Sequence, residues 1–311
     1  MTTTLAVLLG AIFVSAAAPR WLRRVESSQV QPSVTLSCWW SVVAGVIGAV
    51  VVALVLLVLP DRAGVSLLGQ FADVCVSALG HARNPRLEEV LALGTAAVLC
   101  AVFLRVLYVG GWAAVRRRRH VRGHLDLLGQ FGRSEAQILW VPHDTPLAFS
   151  VAGRRPVIVA TSALDDDLPV ESVRAVLAHE RAHLAGRHHF QIALADALAA
   201  AAPGIPLFAH APGAVRRLVE FAADATAARL HGNDAVVLAL GVMGHQTGPP
   251  GGLAMAGDDL DARLRRLGRP ARPAGRGRTA VVHMGGVATS AVLPAIAAAA
   301  MVVSVGLVAC V

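Results

Sequence analysis

Lysine is absent from this 311-residue chain, so all 28 of its basic residues are arginine. Charge of either sign is scarce at 15%, where a soluble globular domain carries nearer a quarter. Tyrosine occurs once, at Tyr108, and aromatic residues make up only 5%. The four cysteines have no C-x-x-C spacing, so neither a thiolate zinc site nor a disulfide framework is indicated. Cys38, Cys100 and Cys310 fall in apolar runs and read as small packing residues; Cys75 falls in a loop. Apolar sequence takes the place of charge: 55% of the residues are hydrophobic and the mean hydropathy is +0.60.

That apolar content gathers in four blocks. The first, Thr4 to Ala18, lacks a positive segment ahead of it and is followed by Arg20, Arg23 and Arg24, so it reads as a retained helix rather than a cleaved signal. The second, Cys38 to Leu59, has no charge and opens on Trp39-Trp40, which suits an interfacial belt. The third, Val90 to Val115, runs into Arg116–Arg119; Arg105 interrupts it and is expected to face the bundle interior. The fourth is Val287 to Val311.

A net charge of +8 would admit nucleic acid as a partner. The arginines, however, cluster beside the apolar blocks at Arg20–Arg24, Arg116–Arg119 and Arg272–Arg278, which fits membrane edges and anionic headgroups. Nucleic acid is therefore not expected. The expected fold is a membrane α-helical protein with an α+β domain. Residues 1–115 would hold three transmembrane helices, 116–286 a cytoplasmic domain, and 287–311 a fourth transmembrane helix. Both termini would lie outside, because arginine flanks the polar domain at both of its membrane edges.

Within the polar domain, Ala136–Val141, Leu147–Val151 and Val157–Thr161 have strand character, the last two forming a hairpin around Gly153–Pro156. Three acids at Asp165–Asp167 and Pro169 then announce a helix that runs without a breaker to Gly186. It carries His179-Glu180-Arg181-Ala182-His183. Residues four apart share one helix face, so both imidazoles can reach one ion while Glu180 stands beside them as a base for an attacking water. His188 to Ala202 reads as a core or membrane-grazing helix, and another helix is expected from Pro212 to about Leu230.

On that last helix Glu220 and Asp224 are again four apart. A catalytic zinc needs three protein ligands and an open position. Glu220 is the natural third ligand, and Asp224 can fix the tautomer of a ligand histidine. Asp196, on the intervening helix, is the alternative third ligand. His188 and His189 lie at other angular positions and read as polar or substrate-side residues. Arg263 and His245 are the candidates for oxyanion or substrate contacts, with no Tyr in the domain to serve.

The His179–His183 helix, the Glu220-Phe-Ala-Ala-Asp224 helix, the Pro146-to-Val159 segment and the order of three spans, domain, one span together resemble the BlaR/MecR-type integral-membrane zinc peptidases of the gluzincin class. The resemblance implies a zincin-like metallopeptidase domain between the third and fourth spans, with Zn2+ held by His179, His183 and Glu220. It also implies that Glu180 activates water in the hydrolysis of a protein or peptide substrate. Regulatory proteolysis would follow, with a cytosolic repressor as candidate substrate. The sequence ends after its fourth block, where the antibiotic receptors of that type continue into a penicillin-binding sensor, so beta-lactam sensing is not carried over. The alternatives are a membrane signal transducer that keeps the zinc fold without proteolysis, and a quality-control protease of the HtpX type, which shares the E-x-x-A-D pattern.

Overall fold

The computed structural model describes residues 2–27, 30–58, 90, 93–94, 97–98, 100–112, 133–135, 137–153, 156–243, 253–254 and 260–268. The fourth apolar block and His245 lie outside these residues.

Two long helices open the chain, α1 (Thr2–Ser27) and α2 (Pro32–Val58). Helix α1 continues well past the first apolar block, through Pro19 and its arginines, to end near Glu26. Among the described residues, one stretch, Pro32–Ala53 of α2, is long and apolar enough to cross a membrane, with a mean hydropathy of 2.1. The third block contributes a shorter apolar helix, α3 (Cys100–Trp112). Gly110 of α3 lies so near Ala197 that a Cβ there would approach the Ala197 Cβ at 3.3 Å. Arg105, expected toward the interior, is exposed instead, because Val106 and Gly110 take the packed side.

A five-stranded sheet follows in the order β1-β2-β4-β3-β5, built from β1 (Arg133–Glu135), β2 (Ile138–Val141), β3 (Ala148–Val151), β4 (Val157–Thr161) and β5 (Leu253–Ala254). The expected hairpin is β3 with β4, antiparallel, with Phe149 opposite Val159. Strand β2 runs parallel to β4. The outer edge of β3 carries β5, which sets Ala254 opposite Phe149 and Leu253 opposite Ser150.

After a short α4 (Ala163–Asp167), α5 runs from Val170 to Ala185 with Pro169 at its N-cap and Gly186 at its C-cap. Proline suits that start because the first amides of a helix have no intrahelical partner. Helix α6 spans His188–Ala201. Helix α7 spans Pro206–His231, starting six residues before the expected Pro212. Pro206 takes the favourable first position, and Pro212 is carried inside the helix, where its ring leaves the carbonyl one turn back without an amide donor. Helices α8 (Asn233–Met243) and α9 (Leu260–Leu267) complete the described fold.

Among the described residues two large apolar cores result, with a small third cluster of Leu139, Phe149, Val151 and Val159 on the sheet. One joins α1 and α2 to α6 and α7 through Leu22, Trp39, Val42, Ile192, Leu207 and Leu218. The other joins the sheet to α5, α8 and α9 through Ile158, Leu164, Val176, Leu240, Met243 and Leu267. Helix α7 contributes to both, Leu218, Val219 and Phe221 to the first and Ala227 to the second. Glu220 and Asp224 fall where one core gives way to the other.

Candidate metal centre

His179, Glu180 and His183 are all fully buried, although they sit on a helix of mixed composition. Burying such groups is costly unless they are paired. The charged groups that surround them come from α7 and α9. The Nε2 atoms of His179 and His183 stand 2.9 Å apart. Glu220 reaches both rings, with Oε2 3.4 Å from His179 Nε2 and Oε1 3.5 Å from His183 Nε2. Four atoms thus converge on one point. Tetrahedral zinc with bonds of about 2.0–2.1 Å sets its donors roughly 3.3–3.4 Å apart. The imidazole–carboxylate separations match that spacing; the imidazole pair is a little tighter. Glu220 Oε2 is buried without a hydrogen bond of good geometry, as expected of an atom reserved for a cation. The donor set, two imidazoles and a carboxylate, fits zinc.

The surroundings favour positive charge at this point. His179 Nδ1 lies 3.0 Å from Asp224 Oδ1. Burial disfavours a charged His179 ring, yet Asp224 and Glu220 outweigh it and lift its pKa to about 9. Asp224 is itself held by Arg263, which donates from Nε at 2.7 Å and from Nη2 at 2.6 Å. Burial would raise the Asp224 pKa, but the Arg263 charge prevails and lowers it to about 2. Arg263 Nη1 also lies 3.3 Å from Glu220 Oε2. Arg263, expected to contact substrate or oxyanion, therefore stands behind the acids and braces both. At 3% exposure it does not lie on a lipid surface either.

Glu180 stands beside the two imidazoles. Its donor atoms and those of His179 and His183 fall within 4.8 Å of one another. Among the described residues neither Glu180 oxygen makes a hydrogen bond of good geometry, though Ser150 of β3 lies against the group. Burial dominates and lifts its pKa to about 8, with the His179 charge and Ser150 opposing.

Asp196, the alternative third ligand, pairs with Arg216 at 2.7 Å on the surface and takes no part. His188 and His189, expected as polar or substrate-side residues, both stand next to the site. His189 is buried, with Nε2 3.2 Å from Ser150 Oγ. His188 is buried with its Nδ1 2.9 Å from His183 Nδ1. Both residues are visible in the sequence as His188-His189, but the turn at Arg187 between the two helices decides where their rings lie.

Residues 116–250 match the family model of peptidase family M48. No curated protein and no solved structure matches the chain. The match supports a metallopeptidase and hence hydrolase chemistry that depends on a metal, usually zinc. It does not extend to the BlaR/MecR type.

Proposed function

We propose that this chain is a membrane-embedded zinc metalloendopeptidase that hydrolyses peptide bonds in regulatory proteolysis. The observation that carries the reading is the convergence of His179 Nε2, His183 Nε2 and both Glu220 oxygens on one buried point beside Glu180. His179, His183 and Glu220 would hold the ion. Zinc, when bound, lowers the pKa of water and polarises a carbonyl group. Glu180 takes the proton from the attacking water and delivers it to the leaving nitrogen. Asp224 Oδ1, 3.0 Å from His179 Nδ1, would draw the ring proton to that side and leave Nε2 free to bind, while Arg263 pairs with Asp224 and reaches within 3.3 Å of Glu220 Oε2. An extended substrate docking on β3 would take the place of Leu253–Ala254.

Membrane embedding is supported by α2 and by the apolar side chains that the first three helices leave exposed, among them Ile12, Phe13, Val51, Val52, Phe103 and Leu107. The arginine flanks support four spans, a cytoplasmic peptidase domain and external termini, with membrane lipid around the spans; a cytosolic repressor as the substrate rests on the resemblance alone. Reporters fused after Gly129 and at the C-terminus test this. A Gly129 fusion active only outside the cell would reverse it.

The chemical reading is tested with Glu180→Gln. The purified variant should keep stoichiometric zinc and lose hydrolysis by at least the ~100-fold typical of a removed general base. Full activity with Gln at 180 would defeat the peptidase reading.

A further inference from the structure

The two histidines of α5 meet unlike partners behind the metal site. His179 Nδ1 faces a carboxylate, that of Asp224, whereas His183 Nδ1 faces another imidazole, that of His188. His188 opens α6 immediately after a sharp corner. Gly186 caps α5 with its amide donating to Ala182 O at 2.9 Å, and Arg187 turns the chain in the left-handed region at φ 49° and ψ 37°. The corner leaves no space for a side chain at Gly186, because a Cβ there would overlap the His188 ring. Gln191 fixes the corner from outside: its Nε2 donates to Gly186 O at 2.8 Å, and its Oε1 accepts from Trp40 Nε1 of α2 at 2.7 Å. Three independent features thus press the His188 ring against His183.

A neutral imidazole offers one N–H and one lone pair. His183 Nε2 points at the shared site, so the lone pair must be there and the proton on Nδ1. Among the described residues that proton has one near acceptor, His188 Nδ1, and the geometry then requires the His188 proton on Nε2. We infer that His188 is a positioning residue that fixes the tautomer and ring orientation of His183, as Asp224 does for His179. The inference rests on the proposed reading of His179, His183 and Glu220 as zinc ligands.

A cavity of about 500 Å3 lies behind the pair, between α2 and α6, lined in part by Trp40, Gly186, His188, Phe190 and Gln191. It is large enough to admit free imidazole to a shortened residue 188, which makes the inference testable by rescue.

The test uses the full chain in detergent and reads zinc affinity by competition with a chelator, along with the visible spectrum of the cobalt-substituted protein. His188→Leu and His188→Gln fill similar space, but only the Gln side chain can accept from His183 Nδ1. His188→Leu should bind zinc ~10–100-fold more weakly than the native chain, the usual cost of losing such a partner. His188→Gln should recover at least tenfold of that loss. For His188→Ala, millimolar imidazole should raise zinc affinity and shift the cobalt spectrum toward native. Equal affinities for the Leu and Gln variants, or no response of His188→Ala to imidazole, would overturn the inference. His183→Ala in the same assay separates the two readings. If it retains native zinc affinity, the ligand assignment fails. If it loses zinc while the Leu and Gln variants match each other, only the role of His188 fails.

Discussion

The two cores that meet at α7 are made of different material. On the sheet side, β2, β3 and β4 pack Ile138, Ala148 and Ile158 against Val173, Val176 and Leu177 of α5, with α8 closing the far side through Val236 and Leu240. On the other side there is no strand among the described residues. Trp39, Val42 and Val46 of α2 and Val14, Ala18 and Leu22 of α1 press directly on Leu207, Leu218 and Phe221 of α7. The helix that carries Glu220 and Asp224 is therefore anchored to the apolar N-terminal pair, while the helix that carries His179 and His183 is anchored to the sheet. The metal centre is the seam between them. A donor set divided this way depends on both packings, and anything that moves one core against the other moves Glu220 relative to the histidines.

The largest test of that division is Glu220→Ala. It removes the only donor from the α7 side and should strip zinc from the protein, read as metal per chain after desalting. Retained stoichiometric zinc would put the third ligand elsewhere. Asp224→Ala should weaken zinc binding by ~10–100-fold, less than Glu220→Ala, because it frees a His179 tautomer without removing a donor. Equal losses for the two would make Asp224 more than a support.

Smaller effects probe the two cores themselves. Leu218 and Leu240 are buried to 1% and 0% exposure, one in each core. Substituting either with alanine should lower stability by about 2–5 kcal/mol, read from thermal or denaturant unfolding in detergent. A loss below about 1 kcal/mol for Leu218→Ala alone would show that the span-side core is loosely packed and that the anchoring of α7 lies elsewhere. The smallest effect is expected at the rim. Arg217 forks onto Glu26 at 2.9 and 3.0 Å, tying α7 to the end of α1. Glu26→Gln should cost no more than about 1 kcal/mol, since the pair is partly exposed and solvent screens it. A larger loss would mean that the charge pair, more than apolar packing, sets how α1 and α7 meet.

Much of this arrangement was legible in the residue pattern. The spacing of His179 and His183, the stops at Pro169 and Gly186, and the four-residue spacing of Glu220 and Asp224 all follow from helix periodicity, which is a local property. The β3–β4 hairpin was visible for the same reason, since alternation and a Gly/Pro turn sit next to each other in sequence. The start of α7 was misread because two prolines compete for the same role, and only the packing of Leu207 and Phe208 decides that the helix begins at Pro206.

The sequence by itself determined which residues could share a helix face, and so which could act on one ion, because backbone geometry repeats every few residues without reference to the rest of the chain. The tertiary structure alone decided the partners. His188 could not be placed by counting along a helix, because the left-handed turn at Arg187 resets the phase between α5 and α6. Arg263 could not be assigned to Asp224, because the two stand 39 residues apart and meet only when α9 closes against α7. Contacts across such separations depend on how the two cores pack, and no local periodicity encodes that.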